Sequence, residues 1–139
     1  MYLYFKIPLK PVSKKNSMQI VRRKDGTPLL VQSPQYKKYA KASSKYLRPT
    51  GKPIDTPVNV RCTYWIHKNK DGSIPKAKID LTNLLNATDD LLVDNAILAD
   101  DNCQIVVSHD GSRVYYTSIG EECTEIEIQD SEEVSVRDS

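Results

Sequence analysis

Ten residues, Val58 to His67, alternate without interruption. Val58, Val60, Cys62, Tyr64 and Ile66 fall on one set of positions, and Asn59, Arg61, Thr63, Trp65 and His67 on the other. Successive side chains of a strand point to opposite faces, so the pattern predicts a strand buried on one side only. Such a strand needs a layer over its apolar face. The chain supplies one downstream. Leu81, Leu84, Leu85, Thr88, Leu91 and Leu92 recur at helical spacing and predict a helix from about Leu81 to Val93.

The remaining segments fill out one domain. Residues 2–9 mix aromatic and β-branched residues in alternation, with Pro8 near the end. Residues 18–23 and 28–32 flank Asp25-Gly26, a hairpin signal. Ser33-Pro34 opens a helix, with Ser as N-cap and Pro at the first helical position. Tyr36, Tyr39, Ala40, Ser43 and Leu47 follow its spacing. Strands are expected at Cys103–Ser108, Arg113–Ser118 and Thr124–Ile128, with a turn at Asp110-Gly111. The order predicts an α+β domain over residues 1–128, with a mixed, mostly antiparallel sheet and two main helices. Residues 129–139 read as an acidic, flexible tail.

The formal net charge is only +2, and it conceals a split. Residues 1–79 hold 18 Lys and Arg against three acids, a net of +15. Residues 80–139 hold two bases against 15 acids, a net of −13. Asymmetry of this size points to a polyanionic partner, or to two halves that pair within the fold. Much of the acidity lies in Glu121 to Asp138 and reads as solvated strand edge and tail. No apolar run reaches the length of a membrane span. Tyr2-Leu3-Tyr4-Phe5-Lys6 lacks the layout of a secretion signal. Cys62, Cys103 and Cys123 are widely spaced and form no Cys-x-x-Cys, so reduced thiols that pack in a cytoplasmic protein are expected. His67 and His109 are too few for most zinc sites.

No Gly-rich phosphate loop, Gly-x-Ser-x-Gly or His-Glu-x-x-His occurs. The chemistry left is carboxylate chemistry. Asp80 starts the second helix, Asp90 lies nearly three turns along it, and Asn83 and Asn86 fall between. Asp100 and Asp101 follow the helix, where a returning chain would approach Asp80. Clustered carboxylates beside amide oxygens suit Mg²⁺ or Mn²⁺. Next to a basic surface such a site suits phosphodiester hydrolysis, with the ion offsetting charge on the departing oxygen. Against this, an Asp at a helix start is more often a cap than a ligand, and Asp pairs arise easily in so acidic a segment. Asp89 and Asp94 read as solvated helix charges.

The stretch Asp80-Leu81-Thr82-Asn83-Leu84, then Asp90-Leu91-Leu92, then Asp100-Asp101-Asn102-Cys103-Gln104-Ile105-Val106 resembles the RusA family of Holliday-junction resolvases. Pro11-Val12-Ser13-Lys14-Lys15-Asn16 is similar to the family's Pro-x-Ser-x-Asn loop, and Ser33 to Tyr39 to its helix start. The likeness spans about residues 3–128. It implies a crossover junction endodeoxyribonuclease of bacteria or their prophages, active in recombination and repair. It also implies a homodimer that binds four-way DNA junctions and cuts them in paired nicks with Mg²⁺. By position Asp80 and Asp101 correspond to catalytic aspartates. Asp100 joins them as a metal ligand, and Asn83 and Asp90 support the site. Asn83 equally suits an ordinary helix-start hydrogen bond.

Two positions depart from the best-known type of the family. Thr82 stands where that type has a third aspartate, and Asn86 where it has a lysine; Arg113 or Lys78 are substitutes for the latter. The alternative is a catalytically weak or inactive relative that only binds DNA. Either way the basic half gains a role: Lys14, Lys15, Arg22, Arg23, Lys76 and Lys78 are the expected phosphate contacts, with Lys10, Lys24, Lys68 and Lys70 nearby. Tyr36, Tyr39 and Tyr64 are expected in packing, and Trp65 at an interface or on DNA.

Overall fold

The computed structural model describes residues 1–13, 18–32 and 34–131. Seven strands and two helices follow one another as β1 (Tyr2–Ile7), β2 (Met18–Arg22), β3 (Pro28–Gln32), α1 (Pro34–Ser43), β4 (Val58–His67), α2 (Leu81–Asp94), β5 (Val106–Ser108), β6 (Arg113–Thr117) and β7 (Cys123–Asp130). The main sheet runs β1-β7-β4-β5, with β6 also on β4, and β2 and β3 form a separate antiparallel hairpin. This is the expected α+β architecture. Ser33, the expected N-cap of α1, lies outside the described residues, as do Lys14 and Lys15.

β4 takes the span and the faces its alternation predicts. Val58, Val60, Cys62, Tyr64 and Ile66 are all buried. In register across the sheet, Cys62 faces Ile126, which faces Phe5, and Val60 faces Ile128, which faces Leu3. The same alternation therefore holds in three adjacent strands, and their inner faces make one apolar surface. Leu84, Ala87, Leu91 and Leu92 of α2 and Tyr36 and Tyr39 of α1 complete the core against it. Tyr64 brings its hydroxyl to Thr88 Oγ1 at 2.7 Å, which ties α2 to β4.

The turn at Asp110-Gly111 joins β5 and β6 without pairing them to each other. Both run parallel to β4, β5 beside its start and β6 beside its end. They act as one interrupted strand, reached from β4 by way of α2, the connection that parallel pairing requires. Side chains bridge the interruption. Ser112 Oγ accepts the Cys62 N–H at 2.9 Å, and His109 Nδ1 donates to the Val60 carbonyl at 2.8 Å. Asn59 Oδ1 accepts the Asp110 N–H at 2.8 Å. Gly111 sits at φ 85°, and a Cβ there would lie 3.0 Å from Arg61 Cδ. The turn keeps its glycine but redirects the chain along the same edge.

Several local expectations change. β5 begins at Val106, because Asn102 closes a turn: its carbonyl accepts the Ile105 and Val106 N–H groups. Cys103 is consequently exposed and is no packing residue, whereas Cys62 and Cys123 are buried as expected. β7 continues past Ile128, with Gln129 paired to Tyr2 and Asp130 to Val58. Glu121, Glu125 and Glu127 are not merely solvated. Glu121 meets Lys6 at 2.6 Å, Glu127 meets Arg61 at 3.3 Å, and Glu125 accepts from Tyr4 and Trp65, each at 2.6 Å. Residues 132–139 of the expected tail lie outside the described residues.

Asp89 is the largest correction. It is buried at 6 % exposure, and its Oδ2 lies 2.9 Å from His109 Nε2. Four residues after Leu85 and three before Leu92, it belongs to the apolar stripe of α2 rather than to the solvated face. His109 thereby pins α2 to the β5–β6 connection and to the β4 backbone. Trp65 stacks on Tyr115, with centroids 4.6 Å apart and planes at 16°. Its indole N–H goes to Glu125, so the ring is engaged on the outer face of the sheet.

Candidate active site

Asp80 occupies the N-cap position of α2 with extended dihedrals, φ −78° and ψ 134°. Its carbonyl accepts the N–H groups of Asn83 and Leu84, as a cap residue's must. Its carboxylate makes no capping hydrogen bond. Instead Oδ2 accepts from the Asn83 side-chain amide at 3.3 Å. The charge thus stands at the positive end of the helix without being consumed by it. Thr82, Asn86 and Asp90, spaced by four, run along one side of α2, with Thr82 and Asn86 exposed.

The chain leaves α2 through Ala96, and Ile97 and Leu98 enter the core. Ala99 N–H bonds the Ile54 carbonyl at 2.8 Å, which fixes the path into Asp100 and Asp101. Asp100 accepts the Asp101 N–H at 2.7 Å and the Asn102 amide at 3.1 Å. These donors hold its carboxyl below the usual range. Asp101 is shifted the other way. Loss of water contact raises it first, then the charge of Asp90, then Asp100.

The structure therefore brings Asp90, Asp100 and Asp101 into one electrostatic group. Asp80 stands at the other end of α2 from Asp90, about 15 Å along the axis at 1.5 Å per residue. Among the described residues, no three His, Cys, Asp or Glu side chains converge closely enough to hold a metal ion. Tyr36 belongs to the same neighbourhood. Its hydroxyl is pushed up to about 12, by burial first and then by Asp90 and Asp94.

A family model described as endodeoxyribonuclease RusA matches residues 8–129, a span that contains all four aspartates. The chain belongs to the RusA endodeoxyribonuclease family. Comparison with curated proteins finds no match. Parts of two stretches that carry the RusA resemblance, the Pro11 loop and the start of α1, meet the segment before Asp80 in space. Lys10 to Ser13 after β1, Gln35 in the first turn of α1, and Ala77 to Ile79 before Asp80 line one cleft of about 430 Å³. The three segments are far apart in the chain, and only folding makes them one wall.

Of the expected phosphate contacts, Arg22, Arg23, Lys76 and Lys78 are exposed. Arg22 is held to the hairpin turn, its guanidinium on the Gly26 carbonyl at 3.0 Å. Among the described residues, no helix is long and apolar enough to cross a membrane.

Proposed function

We propose that the chain is a Mg²⁺-dependent, structure-selective DNA endonuclease that resolves four-way junctions by paired nicks, with Mn²⁺ an alternative ion. The family match across residues 8–129 is the observation that carries this reading. Asp80 and Asp101 are the catalytic carboxylates, and with Asp100 they would hold the ion. Two features favour that donor set. The Asp80 carboxylate is not used for capping. Asp101 carries like-charge repulsion that a cation would offset. When bound, the ion supplies positive charge against the charge that develops on the phosphate oxygens.

The chain's own residues do the rest. Asn83 orients Asp80 through its amide, and Asp90 sets the field at Asp101. Lys14, Lys15, Arg22, Arg23, Lys76 and Lys78 hold the DNA backbone, which gives affinity but little base preference. Two nicks placed symmetrically on a junction need two sites, so the working unit is a homodimer. The setting is recombination and repair in the cytoplasm of a bacterium, by a chromosomal or prophage-encoded protein.

The test uses purified protein with a labelled four-way junction and a linear duplex, with and without Mg²⁺. The expected result is symmetric nicking of the junction alone. It should fall at least about 100-fold in Asp80→Asn and in Asp101→Asn while junction binding persists. Salt-sensitive binding without cleavage in Mg²⁺ or Mn²⁺ would replace this reading with a binding protein, the direction in which Thr82 and Asn86 point. Absence of binding at low salt would end both.

A further inference from the structure

The cleft beside Asp80 has a composition that the proposed nuclease chemistry does not explain. Its walls come from three separate parts of the chain: Lys10 to Ser13, Gln35, and Ala77 to Ile79. Ile79, the last lining residue, directly precedes Asp80 in the chain, so the cleft wall runs into the N-cap of α2. Lys10 and Lys78 contribute ammonium groups from different walls, and no lining residue is acidic. That is the reverse of the far end of α2, where Asp90, Asp100 and Asp101 share one electrostatic group. Pro11, Val12, Ala77 and Ile79 give apolar surface, and Gln35 and Ser13 give groups able to read a polar edge. The first turn of α1 also carries no acidic residue to oppose an anion.

A volume of about 430 Å³ falls in the range of small-ligand pockets. It is far too small for a duplex, yet it suits one nucleotide. Cations for a phosphate, apolar walls for a base face and an amide for a base edge are what one such unit presents. A base stacked and paired in duplex DNA cannot enter. At a branch point the flanking bases unstack most cheaply, which makes entry itself selective for structure. We propose that this cleft is a mononucleotide subsite: it takes one unstacked nucleotide of the cleaved strand, next to the phosphate to be cut. The proposal rests on the nuclease reading above and deepens it, by naming what distinguishes a junction from a duplex.

The test places 2-aminopurine, one position at a time, beside the branch point of a four-way junction. Emission is read with the full-length protein in EDTA, where binding proceeds without cutting. The parent protein should raise emission several-fold at one position and leave the equivalent linear duplex unchanged. Ala77→Phe fills the cleft from an exposed position, so the fold is expected to survive. It should abolish the rise and lower junction nicking at least tenfold, with binding changed less than threefold. Lys10→Ala, on the other wall, should weaken the rise in the same direction. A parent that binds and nicks normally without any rise would overturn the subsite and leave the nuclease standing. So would an Ala77→Phe protein that brightens the probe and nicks like the parent. A parent that neither binds nor nicks would overturn the nuclease reading and the subsite with it.

Discussion

At Ala96 the backbone takes φ 59°, a left-handed conformation that glycine adopts without strain. The hydrogen bonds explain why a residue there must turn that way. Ile97 N–H bonds the Leu92 carbonyl and Ala96 N–H the Val93 carbonyl, the paired closure that ends many helices. Ala96→Gly should therefore stabilise the protein by about 0.5–1 kcal/mol, read as a higher urea midpoint at unchanged slope. The Asp89–His109 pair has a pH signature. Nδ1 already donates to the Val60 carbonyl, so an Nε2 that donates to Asp89 belongs to an imidazolium. The Asp89 side chain raises the His109 pKa above 6.5, outweighing burial. A pKa raised on folding gives a contribution that is complete below the unfolded value and lost as pH climbs through the folded one. Neighbouring Cys62, pushed up to about 12 by burial, and Tyr64, raised well above its usual value by burial, do not titrate near neutral pH. The stability gap between the parent and His109→Gln should thus narrow as pH rises above about 6.5, the ordinary imidazole value. A gap constant with pH would refute the charged pair. Asp89→Ala should cost about 1–3 kcal/mol near pH 6, since it removes the charged partner of a part-buried imidazolium.

Among elements, α2 both covers β4 and positions Asp80 at its N-cap and Asp90 along its side. Its seating depends on a polar contact within an apolar interface. Thr88 Oγ1 meets the Tyr64 hydroxyl at 2.7 Å and also bonds the Leu84 carbonyl at 3.0 Å. Thr88→Val keeps the shape but leaves a buried phenol unpaired, so a loss of about 1–3 kcal/mol is expected in chemical denaturation. Tyr64→Phe in the same background should recover part of it, which separates the lost bond from altered packing. β4 and α2 were legible because each has one clean period, and burial rewards that period directly. β5 was not. Cys103 to Ser108 looks like a strand, but Asn102 takes the next amides into a turn, its side chain on Gln104 N–H and its carbonyl on Ile105 and Val106 N–H. Local bonding of this kind competes with the ladder and wins at the strand's start.

Over the whole molecule the charge split resolves into two unlike uses. On the outer face of the sheet the acids of β7 and the turn before it pair with Lys6 and Arg61, so part of the −13 is met by the basic half. Past the end of α2, Asp101 is instead raised, by loss of water contact first and then by the charge of Asp90 and by Asp100. The exposed Lys76 and Lys78 lie on the segment entering α2, and Lys78 lines the cleft. If they hold phosphates, each alanine substitution should lower junction affinity about equally for all sequences. Each should also reduce the slope of log affinity against log salt by about 1, measured by titration in EDTA. An unchanged slope would place those two lysines off the DNA.

The sequence by itself determined the covered strand, its helix, the α+β class and the RusA family. Periodicity and motif spacing are local properties, and burial preserves them. Only the tertiary structure decided that Asp89 leaves water for His109 and that Asp90 stands nearest Asp101 in charge. Only folding made one cleft of Lys10, Gln35 and Lys78. Each of these joins residues far apart in the chain, where partner choice depends on how helices seat on the sheet and which polar groups must be satisfied there. No local pattern encodes that choice.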